Sequence, residues 1–142
     1  MSIPKFHSLV LAAIGSAADA VLAVIETADR VIAVSDEPMS YAEATTIHGS
    51  GSGRMLAEAP VNAGDFDVTG TGLARKVTFA GKLGGTPRYA ENPVGFAFVN
   101  DGNSELLAVL AETSSETVSM TNTVAFPALN IYGANAVITT QV

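Results

Sequence analysis

The hydrophobic pattern of the chain changes period once, near residue 29. Before that point Val10, Ile14, Ala17, Ala18, Val21, Leu22 and Ile25 recur at three- and four-residue spacing, which predicts one helix over residues 8–26. Ser8 is its candidate N-cap. Gly15 weakens the helix by about 1 kcal/mol relative to alanine. The apolar stripe is wide, so the helix is expected to be buried on more than one side, chiefly against a sheet.

After residue 29 the signals are those of strands. Val31-Ile32-Ala33-Val34 is a short β-favouring run, closed by Asp36-Glu37-Pro38 because proline cannot donate to a ladder. Residues 37–54 read as a long loop, and His48-Gly49-Ser50-Gly51-Ser52-Gly53-Arg54 is flexible by composition. Met55–Pro60, Phe66–Thr69 and Ala74–Ala80 follow as strands, with Lys76, Thr78 and Ala80 on one side of the third. Residues 81–93 hold three Gly and two Pro and read as a second long loop. Val94–Val99 runs to Asn100-Asp101-Gly102-Asn103 and returns as Glu105–Glu112, because Asp-Gly between apolar runs signals a hairpin. Glu116–Thr121 and Thr123–Phe126 form a further hairpin or one bent strand. Leu129–Tyr132 and Ala136–Thr140 complete the set. Short strands at intervals of roughly 8–12 residues predict a mostly β fold, an antiparallel sandwich or barrel-like domain with one N-terminal α-helix. Residues 1–142 read as a single domain, long enough to bury a core without staples.

Composition narrows the function classes. Hydrophobic residues make up 48% of the chain and charged residues 15%, against about 25% charged in a typical soluble domain. Low charge suits a protein that works assembled, although an alanine-rich chain gives the same figure. Seven Lys+Arg against fourteen Asp+Glu leave a net charge of −7, and the cations are scattered, with only Arg75-Lys76 adjacent. Phosphate binding needs clustered cations, so nucleic acid is not the expected partner. There is no cysteine, hence no disulfide framework and no thiolate chemistry. Lys5, Leu9–Ile14 and then Ser16-Ala17-Ala18-Asp19-Ala20 have the outline of a secretory signal. The expectation here is a retained helix and no membrane span, since Gly15 and Asp19 interrupt the apolar stretch.

Few residues carry chemistry. His7 precedes the helix and His48 lies in the Gly/Ser run, neither at a recognisable spacing from a nucleophile or ligand. Residues 49–54 lack the Gly-Lys-Ser/Thr ending of a P-loop. Asp65, Asp67, Asn100, Asp101 and Asn103 offer oxygen ligands without EF-hand spacing, and the last three are explained by turn chemistry. Asp36, Glu37 and Glu43 form no acid/base pair that the sequence fixes across a cleft. The reading assigns no catalytic, cofactor or metal residue. There are nine aromatic residues and no Trp, which weighs against a sugar-binding platform. Tyr41, Tyr89 and Tyr132, with Glu43 and Arg54 of the first long loop, are the candidate protein-interface residues.

The run Val31-Ile32-Ala33-Val34-Ser35-Asp36-Glu37-Pro38-Met39-Ser40-Tyr41-Ala42-Glu43-Ala44-Thr45-Thr46 resembles a group of small virion structural proteins of tailed bacteriophages. They share an N-terminal Ala/Leu-rich helix, a strand ending in Glu-Pro, a Tyr-Ala-Glu-Ala-Thr segment and a closing strand around a Phe-Pro-Ala step. Here that step is Phe126-Pro127-Ala128-Leu129-Asn130-Ile131, and the hairpin from Phe96–Val99 through Asp101-Gly102 to Leu106–Val109 also fits. The resemblance implies a capsid decoration or cement protein on the virion surface, made in the host cytoplasm. Its implied partners are the major capsid protein and further copies of itself, with a trimer favoured. It carries over no catalytic residue and no cofactor. In that role the loops 37–54 and 81–93 clasp the shell and order on binding. A tail, neck or fibre-attachment component is the alternative, and a glycan-binding module a third reading.

Overall fold

The computed structural model describes residues 5–7, 18–70, 75–111, 116–133 and 140–141. Strands β1 (Lys5–Phe6), β2 (Arg30–Val34), β3 (Met55–Pro60), β6 (Lys82–Pro87), β7 (Gly95–Asn100), β8 (Glu105–Ala111), β9 (Val124–Phe126) and β11 (Thr140–Gln141) form one sheet in the order β11-β1-β8-β7-β2-β3-β6-β9. Strands β4 (Phe66–Thr69), β5 (Lys76–Phe79) and β10 (Leu129–Tyr132) form a second, in the order β10-β5-β4. Pairings are antiparallel except the short β1–β11 contact. The predicted mostly β fold with an N-terminal helix holds. Of the two predicted forms it is the sandwich, not a closed barrel. Helix α1 (Ala18–Ile25) packs on β4, β5 and β8 and buries Ala18, Val21 and Ile25. The helix predicted from residue 8 begins outside the described residues, as does most of the strand predicted over Ala136–Thr140.

The central strands explain their own sequences. Val31-Ile32-Ala33-Val34, Phe96-Ala97-Phe98-Val99 and Leu106–Leu110 are buried on both faces and therefore read as continuous apolar runs. Val31, Ala33, Phe96 and Phe98 face the second sheet and α1; Ile32, Val34, Ala97 and Val99 face the other way. Two β-bulges refine this. The register skips Leu56 opposite Ala33/Val34 and Leu107 opposite Phe98/Val99, so Leu56 joins Ala57, and Leu107 joins Ala108, on the main-core side.

Corrections to the sequence reading follow from this second buried face. Residues 37–54 are not a plain loop. They contain helix α2 (Tyr41–Thr45), N-capped by Ser40, whose Oγ accepts the Glu43 N–H. Ala44 of α2 is buried on Ile32, Val34 and Met55, so the segment closes the outer face of the sheet. The Gly/Ser run is a bonded turn: His48 N–H donates to Met55 O, Ser50 N–H to Ile47 O and Gly53 N–H to Ser50 O. A side chain at Gly53 would overlap the Ile47 and Thr46 carbonyl oxygens. Residues 81–93 likewise contain a strand, β6, paired with β3 and β9. Its glycines signalled a break, but Gly85 is there because a Cβ would lie 2.6 Å from the Phe126 ring and 2.8 Å from Val124 O. Neither the hairpin nor the single bent strand expected over Glu116–Phe126 forms. Residues 116–121 are irregular, held by Val118 N–H to Glu91 O, and only Val124–Phe126 is a strand. The β7–β8 hairpin forms as expected, with Asn100 Oδ1 accepting the Asn103 N–H, but the positive φ (53°) falls on Ser104 and not on Gly102.

Candidate functional site

Two polar clusters tie the 35–54 segment to the sheet. The first crosses the outer face. Arg30 opens β2 and its guanidinium makes a bidentate bond to Asp101 (2.8 and 2.5 Å), while its remaining arm donates to Glu58 of β3 (3.0 Å). The other Glu58 oxygen accepts from Arg88 (2.8 Å). The Tyr41 hydroxyl donates to Asp101 Oδ1 (2.6 Å), which pins α2 to the β7–β8 turn, and the Asp101 N–H donates to Asp29 (2.7 Å). Hydrogen bonding from Arg30 is the main reason the Asp101 carboxyl titrates below the usual carboxylate range, with the Tyr41 phenol adding to it. The same carboxylate, chiefly by accepting the phenol proton, pushes Tyr41 above its ordinary value. Arg30 is held charged.

A stability prediction follows. The folded Asp101 carboxyl titrates lower than the unfolded one. Its contribution is therefore complete above about pH 4 and is lost as pH falls through the folded value. Asp101→Asn should cost about 1–2 kcal/mol at neutral pH, discounted for partial exposure. Urea midpoints should show the gap between wild type and variant narrowing below about pH 4. A gap independent of pH would show that the carboxylate charge is not what holds the cluster.

The second cluster lies at the end where β2 leaves the sheet. Ser35 Oγ and His48 Nδ1 are 3.0 Å apart, and His48 Nε2 lies 3.5 Å from Glu91 Oε1. The Tyr89 ring meets the imidazole edge-on at 4.7 Å between centroids. Hydroxyl, imidazole and carboxylate in line are the parts of an activated nucleophile. Acyl transfer also requires donors aimed at a developing oxyanion. The Ser35 N–H is bonded to Arg54 O at 2.9 Å. The arrangement also acts as a latch, joining the turn 46–55, the end of β2 and the 88–94 segment.

The sequence candidates separate on this frame. Tyr41 is the anchor of α2. Glu43 is inward-directed chemistry, with Oε1 accepting the Met39 N–H and its own carbonyl accepting from Arg54 N–H. Tyr132 packs against the main core. Tyr89 is 40% exposed beside His48. Arg54 is half-buried and forms no ion pair among the described residues; its Nε is buried without a hydrogen-bond partner. Asp65 caps its turn with Asn62 and pairs with Lys82 (2.9 Å), while Asp67 bonds the N–H of Val68. Asp36 bonds the N–H of Glu37. The His7 N–H continues the β1 pairing to Leu107 O. Among the described residues no three His, Asp or Glu side chains gather as a metal site, and no helix is long and apolar enough to cross a membrane.

Arg30, Glu58 and Ser35 escaped the sequence reading. A signal for the first two existed. Each is the one charged residue of an otherwise apolar strand, and such a charge needs a partner.

The chain matches no protein-family model, no curated protein and no solved structure.

Three exposed apolar residues are neighbours of the latch along the chain or through the backbone, and one of them, Tyr89, touches it with its ring. Ile47 adjoins His48, Tyr89 touches it, and the Val94 N–H donates to Val34 O beside Ser35. Arg54 is bonded to Ser35 through its backbone, and its guanidinium Nε is buried. Tyrosine is among the residue types enriched at the energetic centres of protein–protein contacts.

Proposed function

We propose that this protein is a virion structural protein of a tailed bacteriophage, of the capsid decoration or cement type, acting by contact and not by catalysis. The observation that carries the reading is the exposed Tyr89 ring against His48 of the Ser35–His48 latch, with the exposed Ile47 and Val94 on neighbouring stretches of backbone. The resemblance of residues 31–46 to phage virion proteins supports the biological setting. Most of those residues build the fold: Pro38 and Ala44 are buried, Tyr41 is bonded to Asp101 and Ser40 caps α2. The segment is therefore a signature of the architecture, and the neighbouring surface is left to make contacts. This surface binds the major capsid protein on the outside of the shell, and decoration adds buried interface area across subunits. Central aromatic contacts of such interfaces contribute at least about 2 kcal/mol.

The test is binding to particles that lack the protein. Tyr89→Ala should weaken shell binding by about 30-fold or more, the equivalent of about 2 kcal/mol, while leaving the circular dichroism spectrum unchanged. Tail- or neck-restricted binding would select the alternative, a tail, neck or fibre-attachment component. Shell binding indifferent to Tyr89 and Ile47 would remove this surface from the account.

A further inference from the structure

Leu83 is the most exposed large apolar residue described, at 83%. Its position is built. The pairing of β6 with β9 is broken between Lys82 and Gly85, so Leu83-Gly84 bulges away from the ladder, and Gly84 takes φ +74° with open space around it. Beside β9 lies a cleft of about 230 Å³, whose walls include Phe96, Val124, Ala125, Phe126 and Pro93, with Glu116 among its lining residues. A cavity of about 150 Å³ accepts a group the size of benzene. The cleft is therefore large enough for a leucine side chain.

We infer that copies of this chain associate head to tail, with Leu83 of one copy seated in the β9 cleft of the next. Charge favours a second copy as the occupant. Glu116 is exposed and makes no ion pair among the described residues, and Lys82 stands next to Leu83. The Lys82 ammonium has three N–H donors, of which Asp65 takes one, leaving others for a neighbour's Glu116. A knob and a socket at different places make a heterologous contact, which closes into a ring when the rotation permits. The inference rests on the assembly reading above but concerns the chain alone, so its failure is separable from failure of shell binding.

Sedimentation of the purified chain tests it. Wild type should associate with rising concentration. Leu83→Asp, at an exposed site, and Ala125→Trp, which adds bulk at a cleft-lining position, should each weaken association at least about tenfold with unchanged thermal unfolding. Mixing the two variants should restore one productive contact and stop at a dimer. Association of wild type that neither variant weakens, or a mixture that stays monomeric, overturns the knob and socket. A monomeric wild type overturns it as well, and particle binding, measured separately, then decides the proposed function.

Discussion

Phe98→Ala should destabilise the protein by about 3–5 kcal/mol, the range for truncating a fully buried aromatic residue. Phe98 is completely buried, and its ring meets Phe66 at 5.5 Å and Phe79 at 5.2 Å, both edge-on. Phe66 and Phe79 belong to the second sheet and Phe98 to the first, so this trio is one of the contacts that join the two sheets into a sandwich. A loss of this size is a large part of the about 5–15 kcal/mol that domains have in total. Phe98→Leu, which keeps most of the volume, should lose far less. Urea unfolding of both variants checks this. Equal and small losses would mean that the sheets are not joined at this point.

The second large effect is expected at Gly81, where the chain leaves β5 for β6. At the same corner β9 leaves the first sheet for β10 of the second, across Phe126-Pro127-Ala128. Gly81 has φ +89°, and a Cβ there would stand 2.8 Å from Phe126 O and 3.2 Å from Ala128 N. Left-handed backbone costs a residue with a side chain about 1–2 kcal/mol. The collision with backbone atoms adds to it, because neither crossing strand can move alone. Gly84 separates the two terms, since it has φ +74° with nothing within 4 Å. Gly84→Ala should cost about 1 kcal/mol and Gly81→Ala about 3 kcal/mol. Equal losses at the two sites would show that the corner is not tightly crossed.

The contrast between these glycines shows what the sequence could disclose. Local alternation and turn residues located β2, β3, β4, β7, β8 and β10 within a residue or two, because those signals are carried by neighbours in the chain. Gly85 and Gly81 misled the reading of 81–93. Their reason is the approach of β9 from more than forty residues away, which no local pattern records. The 37–54 segment misled in the same way. Its composition is that of a flexible loop, yet Ala44, Tyr41 and Gly53 fit it onto a sheet whose second apolar face was hidden inside continuous apolar runs. Of the candidate interface residues, Tyr89 is exposed beside His48 and Arg54 is half-buried, whereas Tyr41, Glu43 and Tyr132 bond or pack within the fold. The Ser35–His48–Glu91 line was illegible because its members are brought together by the strand ends and not by spacing.

The most direct test of the central claim is the stoichiometry of this protein in purified virions, counted by quantitative mass spectrometry against the major capsid protein. A decoration protein should be present in a fixed ratio to the capsid protein, and tailless heads should retain it in full. Absence from the particles, or loss of the protein with the tails, would contradict a place on the shell.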